Sequence, residues 1–461
     1  MSGDLPFGFG SGGRGAGGAG GSGSSGGGGG SGGIFGFGSG APFFAELEKL
    51  LSWQGGPVNW ELARQIAVRA AEEGDRPVTG PEIDAVREAV RLADVWLEAS
   101  TTLPAGAADA QGWTRTRWVE ATLPVWQTLC DPIAARVVDA MRDGLTTGLA
   151  QIGDGGALPP ELAGQLPPGL DLGQLAAAGG PIAQMMNQVG GLLFGAQVGQ
   201  AIGTLAGEVV SSAEVGLPLG PAGVAALLPV NIAAFGEGLD VPADEVRIYL
   251  ATREAASQRL FAHVPWLRSH LLAAVEEYAR GIAVDPEAVG RAMQMVDPSV
   301  LMNPEGLTQA LGEDVFGDAT TAEQKAALAR LEVALALVEG WIDVVANAAA
   351  AAHLPSSARL REMVRRRRAE GGPGEQTFAA LVGLELRPRR MREAAALWQA
   401  LTDERGIDGR DAIWVHPDLL PTSDDLADPQ AFLHRQKTDG EAVYDPVAEI
   451  EKLGDTGPRE G

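Results

Sequence analysis

Residues 172–207 restrict this chain more than any other stretch, because they hold no Asp, Glu, Lys or Arg. Within them Gly191, Gly195, Gly199, Gly203 and Gly207 recur every four residues. On a helix that spacing lines the glycines up as a shallow ridge, where a second backbone can approach closely. The run is long enough to span a bilayer. However, Gln184, Asn187, Gln188, Gln197 and Gln200 put a polar amide on nearly every turn, Asp171 and Glu208 bound the run, and no basic cluster flanks it. The pattern therefore predicts a closely packed helix buried in a protein core, and a membrane is not expected as a partner.

The remaining glycines sort by position. Of 64, 21 fall in residues 1–40, which contain only two charges, Asp4 and Arg14. No basic start followed by an apolar run is present, so this is not read as a secretory signal. It is read as a disordered Gly-rich arm over residues 1–41. FGFGSG occurs twice in it, at residues 7–12 and 35–40, and is read as aromatics tolerated in a Gly-rich background.

From residue 42 the periodicity turns helical and stays so to about residue 430, so the body is expected to be mainly α. Residues 43–51 place Phe44, Leu47 and Leu50 on one face. Pro81 opens a run whose apolar stripe is Ile83, Val86, Val90, Leu92, Val95 and Leu97, with Thr79 or Gly80 as the cap. Another helix is predicted to start after Pro132. Residues 321–350 form a strong helix with Leu328, Leu331, Leu335, Val338 and Ile342 on one side. Strand candidates are few: residues 215–219 and 224–232, both short and bounded by proline. Residues 431–461 are expected to be an acidic flexible tail, since residues 401–461 carry 15 acidic against 6 basic groups.

Charge and cysteine count exclude several functions. The formal net charge of −25 argues against nucleic acid as a partner, because phosphate binding needs local positive charge. The exceptions are the arginine run 365–368 and the cluster Arg387, Arg389, Arg390 and Arg392. Glu362, Glu370, Glu385 and Glu393 interleave with these, so a salt-bridged surface is the expected use. The single cysteine, Cys130, rules out an intrachain disulfide and any multi-Cys zinc site, and fits a cytoplasmic setting. A His-built site would have to draw on His263, His270, His353, His416 and His434. No two of these lie three or four residues apart, so no single helix presents a bis-His grip.

The most informative segment is EVRIYLATREAASQRLFAHVPWLR, residues 245–268. Pro242, Asp244 and Glu245 suit the first turn of a helix, and Pro265 separates it from a second helix over residues 266–280. Other distinctive strings are MNQVGGLLFGAQVGQ (186–200), RAEGGPGEQTF (368–378), GLELRPRR (383–390) and HPDLLP (416–421). Together these resemble a bacterial zincin-like family of zinc-dependent metalloproteases and hydrolases, some linked to coenzyme F420 biosynthesis. The likeness spans residues 42–430.

The resemblance implies a zincin-like multi-helical domain and an HExxH motif on the first of the two helices. In that motif two His at i and i+4 grip zinc, and the Glu acts as general base on the metal-bound water. Here the five positions read Arg253, Glu254, Ala255, Ala256 and Ser257. The base position is kept as Glu254. Both ligand positions depart from the pattern, since a guanidinium stays protonated and a serine hydroxyl is a poor zinc ligand. For the third ligand the resemblance offers two carboxylates. One is Glu277, 24 residues after Arg253. The other is Glu339 in VEGWID, where Trp341 stands in place of a family histidine. No zinc is therefore expected, and Arg253 beside a carboxylate such as Glu339 is expected to take over the dication's electrostatic role. The function expected is that of a metal-free binding or scaffold protein for a protein or peptide partner. The alternative is an active zinc-dependent metallopeptidase.

Overall fold

The glycine ridge sets the first packing contact. In the computed structural model, which describes residues 56–153, 180–214, 216–280, 322–369 and 388–441, α1 (Trp60–Ala71) lies along α4 (Gly180–Ala206). α1 presents Ala63, Ala67 and Ala71, all buried. A Cβ on Gly195 would sit 2.6 Å from the Asn59 carbonyl, and one on Gly199 would sit 2.5 Å from the Ala63 carbonyl. Only glycine allows the two backbones this close.

α2 (Gly80–Leu97) begins at Thr79, whose capping box with Glu82 satisfies the first free N–H groups. Its buried face is Val86, Ala89, Val90, Ala93 and Leu97. Val95, placed in the stripe by sequence, is 64% exposed, because it lies two residues from both Ala93 and Leu97 and so on the opposite side of the helix. α3 (Arg115–Gly153) carries Pro124 and Pro132 inside a single long helix. The expected start after Pro132 is thus corrected: each proline removes one N–H bond, and packing on both sides holds the helix through the gap.

Strands are short. β1 (Asp109–Gly112) pairs in parallel with β4 (Val224–Leu227), and β2 (Ala213–Glu214) pairs antiparallel with β3 (Leu217–Pro218). The strand expected over 224–232 stops at Leu227. Pro229 instead opens α5 (Pro229–Gly236), consistent with the preference of proline for a first helical turn.

The remaining helices form the core. α6 (Ala243–His263), α7 (Pro265–Arg280) and α8 (Ala322–Ala351) pack on one another, and α6 also meets α2 and β4. α6 and α8 are buried on nearly every side through their middles, as befits central helices. α8 is the one helix among the described residues long and apolar enough to cross a membrane, and 83% of its apolar window is buried inside the protein. α9 (Ser357–Ala369) and α10 (Pro388–Asp411) close over α8, followed by 3-10 turns at Ala412–Val415 and Pro417–Leu419, α11 (Ser423–Ala427) and α12 (Pro429–Glu441). Trp414 docks on this layer, stacked on Trp398 at 5.2 Å. α12 runs across the boundary expected at residue 430 and buries Phe432 and Leu433. The Gly-rich arm, the helix expected over residues 43–51 and the chain beyond 441 lie outside the described residues.

Candidate active site

α6 carries the five motif positions. Pro242 precedes it, and Asp244 and Glu245 face its positive N-terminal end. Arg259 anchors it: fully buried, it donates to the Asp94 carboxylate (3.2 Å), Glu98 (2.8 Å) and the carbonyls of Leu103 (2.7 Å) and Asp94 (2.8 Å). These bonds fix the rotation of α6 against α2. With that rotation set, Glu254 points towards the residues before β2, while Arg253 points across to α8.

Glu254 is buried and held by three protein donors. It accepts from the Ser212 hydroxyl, from the Ala213 N–H at 3.2 Å and from the Gln258 amide, one helical turn on, at 2.9 Å. Burial pushes its carboxyl above the usual 4.5, and the donors from Ser212 and Gln258 only partly oppose that rise.

Arg253 donates from Nη2 to Glu339 Oε2 at 2.9 Å, with the two side chains only 11% and 7% exposed. The other Glu339 oxygen accepts from the Gly216 N–H at 2.7 Å and from Arg368 at 3.2 Å. Gly216 holds φ +75° to aim that N–H, a conformation suited to glycine. One turn along α8, Asp343 takes Arg361 (2.7 Å) and Arg365 (2.7 Å), with Arg253 Nη1 at 3.9 Å. Burial alone would raise the Asp343 carboxyl, but Arg361, Arg253 and Arg365 together hold it below the ordinary 3.8. The arginine run of α9 is therefore divided. Arg366 pairs with Glu362 at the surface, as the sequence implies, whereas Arg365 and Arg368 reach the buried carboxylates of α8.

Ser257 lies on the same side of α6, 2% exposed, and its hydroxyl has no hydrogen-bond partner among the described residues. It lines a cavity of about 60 Å³ together with Arg253, Glu254, Glu339, Arg367 and Arg368.

The other positions singled out in the sequence lie elsewhere. Glu277 pairs with Arg330 at 2.6 Å on a half-exposed surface and does not line the cavity. Trp341 is buried, but it donates to Asp411 at 2.9 Å and packs edge-on against Trp414. Two residues from Glu339 on a helix, it points away from Arg253. The histidines are dispersed: His263 lies 3.3 Å from the Ala105 carbonyl, His270 edges Trp266, His353 stacks on Trp96 and His416 faces Asp418. Sequence reading missed Ser212 and Asp343, and it placed Arg368 on a salt-bridged surface rather than on Glu339. Asp343 was open to detection, since it falls four residues after Glu339 and so shares its helix face. Nothing in the sequence marks Ser212, which reaches Glu254 only through the fold.

Residues 58–433 match the family model for zincin-like metallopeptidases. The chain belongs to that family. A crystal structure described as "a putative hydrolase with a novel fold", from Chloroflexus aurantiacus, is similar in fold, with a TM-score of 0.56 and 19% identity. The likeness covers 82% of this chain and 99% of that one. No curated protein matches, and neither match carries a link to coenzyme F420. In this zincin-like chain, then, Arg253, Glu254 and Ser257 of α6, Glu339 of α8 and Arg367 and Arg368 of α9 converge on one cavity.

Proposed function

We propose that this zincin-like protein works without a metal, as a binding protein for a peptide or protein partner, with Arg253 in the electrostatic role that zinc holds in the family's motif. The observation that carries the reading is the 2.9 Å ion pair between Arg253 and Glu339. The residue at the first ligand position donates into the carboxylate that would serve as third ligand. Zinc takes thiolate, neutral imidazole or carboxylate donors. The two helix positions offer a guanidinium and a neutral hydroxyl instead, and Glu339 is already occupied by cations. Among the described residues, no group of three or more His, Cys, Asp or Glu is placed to hold a metal ion. A zinc ion does not fit this donor set.

The base position supports the same reading. Glu254 is tied to the protein through both oxygens, Oε1 by Ser212 and Gln258 and Oε2 by the Ala213 N–H, as suits a structural carboxylate. The lone cysteine, buried and pushed up to about 12 by desolvation, suits a reducing cytoplasm.

Elemental analysis of the purified full chain, with a peptidase assay on casein, tests the proposal. The expected result is no stoichiometric metal and no cleavage. Stoichiometric zinc that is lost in Glu254→Gln or Glu339→Gln would overturn it and favour the active metallopeptidase.

A further inference from the structure

We infer that the cavity beside Arg253 binds the carboxylate group of an acidic ligand, supplied either by a peptide C-terminus or by a small free acid. The inference deepens the metal-free reading above and rests on it.

Charge balance is the first argument. In a chain of net charge −25, four guanidiniums gather on two buried carboxylates: Arg253 and Arg368 on Glu339, Arg361 and Arg365 on Asp343. Arg367 joins the lining from the rim, one-third exposed and 3.8 Å from Glu208. The lining acids are Glu208, Glu254 and Glu339, which balance Arg253, Arg367 and Arg368 in number, and Glu254 is held by Ser212, Ala213 and Gln258. An anion would therefore be drawn by donor groups left over in the wall, not by an excess of positive charge.

The second argument is a donor with nothing to donate to. The Ser257 hydroxyl is buried, lines the cavity and has no hydrogen-bond partner among the described residues. An orphan buried hydroxyl costs free energy in the empty protein and is satisfied when a ligand oxygen arrives. Among the described residues Arg253 Nη1 likewise makes no hydrogen bond, although Asp343 lies 3.9 Å away. A planar guanidinium edge and a neighbouring hydroxyl match the two in-plane oxygens of a carboxylate.

Size is the third. A volume of about 60 Å³ holds roughly four water-sized groups. That accommodates a carboxylate and its α-carbon, with the rest of the ligand leaving past Arg367.

Isothermal titration of the full chain at low salt tests this with three probes: N-acetyl-trialanine as the free acid, its C-terminal amide, and succinate. The free acid is expected to bind at millimolar or lower concentration, and the amide at least about tenfold more weakly, since it lacks the charge. Succinate binding as well as the peptide acid identifies a small acid as the source; succinate binding clearly weaker identifies a peptide terminus. Ser257→Ala is expected to keep or raise the melting temperature, because it removes an unsatisfied group, yet to weaken acid binding by about tenfold. Arg367→Ala, a rim change that spares the buried pairs, is expected to weaken it too. The assignment is overturned by no binding of either acid, by equal binding of acid and amide, or by a Ser257→Ala protein that binds like the parent. Zinc in the purified chain would overturn the functional reading instead, whichever way the acids behave.

Discussion

Replacing Arg253 with alanine tests whether the guanidinium is a structural substitute for a metal. Arg253 is one of two cations on Glu339 and one of three near Asp343. Removing one partner of a buried ion pair costs about 3–5 kcal/mol when the other charge is left bare. Here Glu339 keeps Arg368 and the Gly216 N–H, and Asp343 keeps Arg361 and Arg365. The loss should therefore fall near the low end, about 3 kcal/mol. The matched domain, residues 58–433, at about 2.1 cal/mol/K per residue, gives an unfolding entropy of about 0.8 kcal/mol/K, so the melting temperature should drop by about 4 °C. Differential scanning calorimetry at pH 7 measures this directly. Glu277→Gln serves as the control, because its pair with Arg330 is half exposed and should contribute less than about 1 kcal/mol. A melting temperature for Arg253→Ala within a degree of the parent would refute the idea that this arginine neutralises buried charge.

Two further outcomes follow from the packing and from the raised acid. Glu254→Gln should gain stability over the parent as pH rises. The folded-state acidity of Glu254 is pushed above the usual 4.5, so its carboxyl favours the folded state fully only below that value and progressively less as the unfolded chain ionises. Denaturant titrations across pH 4 to 8 should show the two proteins diverging with increasing pH, and parallel curves would count against a desolvated Glu254. Gly199→Val should destabilise by about 1–3 kcal/mol, since even its Cβ meets the Ala63 carbonyl at 2.5 Å; thermal melts followed by circular dichroism would show it, and an unshifted midpoint would mean that α1 and α4 do not pack as described.

How much was legible in the sequence depended on how local the cause was. Thr79 as a cap, the Pro242 start and the α6–α7 break at Pro265 are set by neighbours within a turn, and they read correctly. Pro132 of α3 misled because a single lost N–H bond is a local signal that packing along the whole helix overrides. The glycine ridge read correctly as a close-packing surface, although not which helix would fill it.

The site divides along the same line. Spacing alone determined that no single helix carries a bis-His grip, whereas Glu254 at the base position and Arg253 and Ser257 at the ligand positions are what the resemblance to the zincin-like family implies. Those are statements about residue identity on one helix, where period fixes the geometry. Tertiary structure decided the rest. Of the two carboxylates offered by the sequence, it brought Glu339 to Arg253 and left Glu277 at the surface. It also turned Arg365 and Arg368 inward onto α8, where sequence neighbours had pointed to surface pairing. Burial explains the difference: once α8 is enclosed on every side, its two carboxylates need cations, and α9 is the element packed close enough to supply them.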